Sequence, residues 1–138
     1  MKIVSACLAG IPCRFNWTAK PCPYVIQLVQ QGEALPLCPE ELWGLSTPRD
    51  EAEIQKDGCV KTITGLDVTK QYRLGAQKVL DVAKNMWCTE VIFRQKSPSC
   101  GCGEIFDGTF TEKLVHGDGI CTQLLKENGV KVITEKDL

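Results

Sequence analysis

The sequence predicts an α/β fold: a Rossmann-like parallel sheet of about four main strands with flanking helices, in one domain over residues 1–138. Three observations predict it. Short β-rich runs alternate with longer segments whose apolar residues recur at helical spacing. No internal repeat, charge run or low-complexity linker divides the chain, and 138 residues suit one core rather than two. The apolar and charged fractions, 43% and 24%, belong to an ordinary globular protein rather than a disordered or fibrous one.

Each element follows in order. Residues 2–6 are a β-rich run that stops at Cys7. Pro23 opens a helix over 23–31, with Val25, Leu28 and Val29 inward and Gly32 as the stop. Residues 34–37 form a brief strand ending at Cys38. Residues 41–66 carry the turn formers Gly44, Ser46, Pro48, Gly58 and Gly65; they read as irregular, with a minor strand over 60–63. The strongest helix signal begins at Asp67, capped by Asp67 or Thr69. Tyr72, Ala76, Val79, Ala83 and Met86 then recur along one face. A strand over 90–93 leads into the loop Lys96-Ser97-Pro98-Ser99-Cys100-Gly101-Cys102-Gly103. Residues 105–115, with Asp107-Gly108 inside, read as a small hairpin or an irregular excursion. Asp118 caps a helix from Ile120, Asn128-Gly129 closes it, and 130–134 is the last strand.

Strands separated by helices are joined by right-handed crossovers into a parallel sheet. Sites in such sheets lie just beyond the carboxyl ends of the strands. Cys7, Cys38 and Cys100 each follow a strand, so the topology brings three sequence-distant thiols to one edge.

Composition excludes several function classes. A net charge of -1, from 16 basic and 17 acidic residues, gives no global field for a nucleic-acid backbone. No apolar run approaches the roughly 20 residues needed to span a bilayer. The first residues, soon interrupted by Gly10, Pro12 and Cys13, do not form a signal peptide, so a cytoplasmic location is expected. Nine cysteines are then expected to stay reduced, and the odd number argues against a full disulfide framework.

Thiolates converging at a sheet edge make a site for a soft metal or an iron–sulfur cluster. Three would leave one position open to a soft substrate atom; four would close the site. Cys13 is the obvious fourth candidate, and Cys102 another. The spacing matches no compact zinc or ferredoxin signature, and by the residues alone a metal site and buried inert thiols stand about level.

The ordered motifs carry more. Ser5-Ala6-Cys7-Leu8-Ala9-Gly10 with Cys13-Arg14-Phe15, then Cys38-Pro39-Glu40, Thr47-Pro48-Arg49, Gly65-Leu66-Asp67-Val68-Thr69, Gly75-Ala76, Lys96-Ser97-Pro98-Ser99-Cys100-Gly101 and Asp107-Gly108-Thr109-Phe110 resemble the domain-of-unknown-function 523 family, which includes the thiouracil desulfidases. The resemblance covers essentially the whole chain. It implies an oxygen-sensitive [4Fe-4S] cluster on three cysteines, here Cys7, Cys38 and Cys100, and non-redox conversion of thiouracil to uracil. The small-molecule partner it implies is a thiolated base or nucleoside. Leu8-Ala9-Gly10 stands where the family usually has two leucines before the glycine. Phe15-Asn16-Trp17 stands where it tends to carry tyrosine, aspartate and glycine, and Trp43-Gly44-Leu45 replaces a more glycine-rich stretch.

Within that frame Glu40 reads as general base for an attacking water, against a simple helix-capping role. Ser97 and Ser99 read as ring-orienting or proton-relaying groups, against turn formation. Arg14 and Arg49 are expected as surface ion-pair residues, against binding an anionic group, His116 as a loop residue, and Cys22, Cys59, Cys88 and Cys121 as packing or incidental thiols. Trp17, Trp43 and Trp87 are expected to pack, with Trp17 or Trp43 available to stack a base. Two other functions compete. One is a non-catalytic Cys-ligated metal or cluster module, acting as sensor or sulfur carrier. The other is a thiol–disulfide redox protein cycling Cys100 with Cys102 or Cys7 with Cys13.

Overall fold

The computed structural model describes residues 1–138. Its elements, in chain order, begin with strand β1 (Lys2–Ser5), a 3-10 turn (Ala6–Ala9), helix α1 (Pro23–Gln30), strand β2 (Ala34–Leu37) and the short helix α2 (Pro39–Leu42). Strands β3 (Ala52–Ile54) and β4 (Val60–Thr62), the long helix α3 (Thr69–Asn85) and strand β5 (Glu90–Phe93) follow. Strands β6 (Glu104–Phe106) and β7 (Leu114–His116), helix α4 (Ile120–Glu127), strand β8 (Lys131–Thr134) and a final 3-10 turn complete the chain.

The main sheet has the order β2-β1-β5-β8, with every neighbouring pair parallel. Successive side chains on a strand point to opposite faces, and both faces are covered. Ile3, Val91, Phe93 and Val132 pack beneath Ala76, Val79, Leu80 and Ala83 of α3 and Leu125 of α4. Val4 and Ile92 face the other way, onto Leu8 and the α1 residues Val25 and Leu28. Each fully buried side chain of this size contributes roughly 1.5–3 kcal/mol of transfer free energy, so the central strands are the firmest part of the molecule. The four expected strands and their parallel arrangement are all present.

Two helix stops follow the sequence closely. After α1, Gly32 takes φ +73°, its N–H donates to Val29 O, and Glu33 N–H donates to Leu28 O. After α4, Gly129 takes φ +79°, with Gly129 N–H to Lys126 O and Val130 N–H to Leu125 O. Both are Schellman closures, in which the left-handed residue costs least when it is glycine.

The helix starts differ from expectation. α3 begins at Thr69, not Asp67, and neither side chain caps it conventionally. Thr69 Oγ1 accepts Val60 N–H at 2.8 Å, which ties α3 to β4, while Asp67 Oδ1 accepts the N–H of Thr69 at 2.9 Å just ahead of the helix. Asp118 does not cap α4. Its carboxylate accepts from Gly103 N–H at 2.8 Å and Lys126 Nζ at 3.0 Å, so it braces the preceding loop. The first N–H groups of α4 are satisfied instead by carbonyls of that loop: Ile120 N–H donates to Pro98 O, and Cys121 N–H to Ser99 O. In the 41–66 segment the expected minor strand is β4. Its antiparallel partner β3 and the short α2 went unread, because a three-residue strand and a four-residue helix carry too little periodicity. The hairpin around 105–115 is real, but its arms are β6 and β7, and Asp107-Gly108 lies in the connecting loop.

One close approach fixes the position of α2. A Cβ built on Gly75 of α3 would stand 2.1 Å from Pro39 O, so the two helices meet backbone to backbone. Gly75→Ala must therefore push Pro39 away, and with it Cys38 and Glu40 on either side. The expected cost is at least the roughly 1–3 kcal/mol of ordinary overpacking, read as a lower denaturation midpoint in urea.

Candidate active site

Three strand ends deliver three thiols. Cys7 sits in the 3-10 turn that directly follows β1. Cys38 is the residue between β2 and α2, with extended backbone (φ -118°, ψ 108°) that turns its side chain across the sheet edge before Pro39 starts the helix. Cys100 lies in the loop after β5. That loop is wound tightly: Ser97 Oγ accepts the N–H groups of Ser99 and Cys100, each at 3.1 Å, and Gly101 N–H donates to Ser97 O at 2.8 Å. A fourth thiol, Cys13, returns to the same place after the chain reverses at Gly10 (φ +91°).

All four line one cavity of about 140 Å³, shared with Ser97, Glu40 and Arg49. This is small beside the roughly 300–1,000 Å³ of drug-sized ligand sites, so it suits a compact guest. The Sγ atoms of Cys13 and Cys38 and a carboxylate oxygen of Glu41 lie within 4.8 Å of one another. Cys38 Sγ also approaches Cys13 O at 3.9 Å.

The thiols resist ionisation as they stand. For Cys13, the bond from the Cys38 thiol favours the thiolate, but its hydrogen bond to Cys7 together with burial outweighs this and pushes the pKa up to about 12. Cys38 is held well above the usual thiol range, first by its bond to Cys13 and then by burial. Cys100 is raised by burial and by the neighbouring Cys121 thiol, partly opposed by a hydrogen bond from Ser5. Several sulfurs crowded in a dry place cannot all become thiolates without positive charge among them. A soft cationic centre supplies that charge, and the donor set is the one such a centre prefers. All nine cysteines are free, so none of these sulfurs is committed to a disulfide.

Beside the thiols lies a buried ion pair. Arg49 Nη2 and Nε reach Glu40 Oε2 at 2.7 and 2.8 Å, with the two side chains only 10% and 13% exposed. The same guanidinium donates to Cys13 O at 2.9 Å, so it links the Glu40 carboxylate to the loop that carries Cys13. The expectation of Arg49 as a surface residue is therefore corrected: the 44–52 segment folds back over α2 and buries it. Tyr72 of α3 stands beside Glu40, and burial followed by the Glu40 charge pushes its phenol well above the ordinary range. Arg14 also lines the cavity, half-buried, where desolvation and then the charge of Arg94 lower its pKa.

Not every candidate converges. Ser97 lines the cavity, but Ser99 does not. Ser99 is 1% exposed, its Oγ has no hydrogen-bond partner, and its carbonyl is pinned under α4, where a Cβ on Gly119 would come within 2.4 Å of it. The expectation of Ser99 as a group touching substrate is corrected on that ground. Cys102 points elsewhere, its Sγ 3.7 Å from Val132 O. Cys121 is fully buried, as expected of a packing thiol, and Cys88 is buried; Cys22 and Cys59 are half-buried. His116 is exposed on β7 rather than in a loop. The tryptophans do not pack inside: Trp17, Trp43 and Trp87 are 65%, 39% and 89% exposed, and Lys78 Nζ lies 4.9 Å from the Trp43 ring centre.

Sequence reasoning missed two groups. Tyr72 counted only as part of an apolar helix face, although a buried phenol needs a polar partner and so signals one. Glu53, 4% exposed on β3, also lines the cavity, and a single glutamate in an unread strand gave no signal.

The sequence pattern of 2-thiouracil desulfurase matches residues 3–137. This chain belongs to the 2-thiouracil desulfurase family. Among solved structures, the [4Fe-4S]-dependent thiouracil desulfidase TudS superposes with a TM-score of 0.94 and 38% identity, over 99% of this chain and 91% of that one. The uncharacterized protein YbbK of Bacillus subtilis (strain 168) is 42% identical over 147 aligned positions, covering 100% of this chain and 97% of YbbK.

Membership also gives meaning to Trp17. It adopts φ +60°, in the left-handed region that L side chains avoid, at the position where the family resemblance expects glycine. With its ring exposed, little packing offsets the strain. Trp17→Gly is expected to raise stability by about 0.5–1 kcal/mol, the left-handed penalty less the extra chain entropy of glycine, seen as a higher melting temperature.

Proposed function

We propose that this chain is a desulfidase that exchanges the thiocarbonyl sulfur of a thiouracil-type base for oxygen from water, with no net redox change. The balance is one water consumed and one hydrogen sulfide released per C=S converted to C=O. In this reading Cys7, Cys38 and Cys100 hold a [4Fe-4S] cluster. Bound there by three thiolates, the cluster would supply a Lewis-acidic iron with room for a soft thiocarbonyl sulfur. What supports the reading most is the meeting of three strand-end thiols with the Glu40–Arg49 pair in one cavity.

The remaining work falls to the chain's own side chains. Glu40 takes a proton from the water that attacks the thiocarbonyl carbon. Arg49 fixes the Glu40 carboxylate through two close contacts, and the neutral Tyr72 phenol stands beside it, so the base cannot swing away. Ser97 Oγ already accepts two backbone N–H groups, which leaves its hydroxyl proton free to donate into the cavity, toward the exocyclic atom of the ring. Cys13 lies close enough to Cys38 to serve as an alternative ligand; the desulfidase reading gives it none of the three places, since a fourth thiolate would close the site to substrate. No helix is long and apolar enough to cross a membrane, and a reducing cytoplasm would keep the nine thiols available.

Anaerobic purification tests this directly. The expected product is a brown protein with about four irons and four sulfides per chain, which turns 2-thiouracil into uracil with release of sulfide. Colourless protein containing zinc would favour the non-catalytic module. Metal-free protein with a titratable dithiol would favour redox exchange.

A further inference from the structure

Glu53 is a buried anion without a cation. It is 4% exposed, and no lysine or arginine lies within ion-pair distance of it. Its Oε1 accepts the N–H groups of Gly108 at 3.0 Å and Phe110 at 3.2 Å, which docks the loop between β6 and β7 onto β3. Its Oε2 makes no hydrogen bond, yet it is not a sealed orphan, and the side chain lines the cavity that holds the four thiols.

Docking the loop does not explain the charge. A neutral amide carbonyl accepts two N–H groups equally well, and Gln55, two residues along β3's trace, already fastens the same loop by donating to Gly108 O at 3.2 Å. Burying a carboxylate without a counter-charge is costly, and burial together with the charges of Glu51 and Asp107 raises the Glu53 pKa. The cost is recovered when donors arrive from a ligand. The hydrogen-bond donors of a thiouracil-type ring are its N–H groups, next to the carbon that reacts. The N–H at ring position 3 is present in the free base and in a nucleoside alike.

We propose that Glu53 is the specificity-determining residue that accepts the ring N3–H of the base through its free oxygen, so that the cavity selects thiocarbonyl compounds carrying an adjacent N–H. This rests on the desulfidase reading above. It assigns Glu53 to holding the ring, while Glu40 deals with water.

The test compares 2-thiouracil with N3-methyl-2-thiouracil in turnover, and uracil with N3-methyluracil in calorimetric binding, for wild type and Glu53→Gln. Gln keeps the loop amides satisfied through its carbonyl and turns an NH2 donor to the cavity. Wild type is expected to prefer the N3–H compound by roughly 10- to 100-fold in kcat/KM and in affinity, the worth of one charge-assisted hydrogen bond. In Glu53→Gln that preference is expected to shrink toward unity, with KM raised far more than kcat is lowered. A preference that survives unchanged in the variant is steric and overturns the proposal. Should the variant not fold, wild type binding uracil and N3-methyluracil equally overturns it, and an N3–H preference of tenfold or more supports it. Thiouracil turnover without the preference refutes Glu53 alone; the preference in binding without any turnover refutes the desulfidase reading and leaves Glu53 standing.

Discussion

Cys7→Ala, Cys38→Ala and Cys100→Ala are each expected to give a folded but colourless protein after anaerobic reconstitution, with iron and sulfide near zero and thiouracil turnover at background. The expectation comes from the electrostatics of the cavity. Burial raises Cys13, Cys38 and Cys100 alike, and the hydrogen bonds of Cys13 to Cys7 and of Cys38 to Cys13 add to it, so ionisation of these thiols calls for a positive centre. Three protein thiolates around such a centre hold one another in place, and removing one leaves the other two to face desolvation with too little compensation. Cys13→Ala and Cys102→Ala provide the contrast. Cys102 is bonded away from the cavity, and Cys13, although close to Cys38, is not one of the proposed three, so both variants should keep their colour. Circular dichroism separates loss of cluster from loss of fold. Full iron content in Cys38→Ala, or a colourless Cys13→Ala, would redraw the ligand set.

The parallel sheet and the thiol edge were legible for the same reason. Residues such as Ile3, Val4, Val91 and Ile92 form short runs buried on both faces, and each run ends where a cysteine or its loop begins. Parallel strands joined by crossovers put their carboxyl ends on one edge, and three cysteines fall there without any knowledge of side-chain contacts. The stops at Gly32 and Gly129 were legible because the left-handed turn after a helix has a strong residue preference. What failed was chemistry that depends on tertiary neighbours. Asp118 has the composition of a helix cap, but Gly103 and Lys126 claim its oxygens, and loop carbonyls do the capping. Arg49 reads like any polar loop arginine until the 44–52 segment folds over α2 and closes the pair with Glu40. Ser97 and Ser99 are indistinguishable in sequence, two residues apart around a proline. Only the loop's winding puts one hydroxyl in the cavity and seals the other beneath α4.

Glu40→Gln isolates the acid–base step from the cluster. The substitution keeps the size of the side chain and a carbonyl oxygen for Arg49, but it removes the basic oxygen. A positioned general base contributes roughly 10²–10⁴-fold, so kcat should fall by that factor while KM moves only a few-fold. The visible spectrum and the iron content should stay those of wild type. Tyr72→Phe gives a graded comparison: it removes the phenol beside the carboxylate but leaves Arg49 in place, so a smaller loss of kcat is expected. Arg49→Lys probes the other side of the pair. A lysine keeps the charge yet cannot reach both Glu40 and Cys13 O with a planar fork, so part of the positioning is lost with the charge retained. These outcomes distinguish two roles that the geometry alone allows Glu40. If Glu40→Gln loses its colour along with its turnover, the carboxylate serves chiefly to anchor Arg49 and, through it, the Cys13 loop. If it keeps its colour and loses turnover, the proton of the attacking water goes to Glu40.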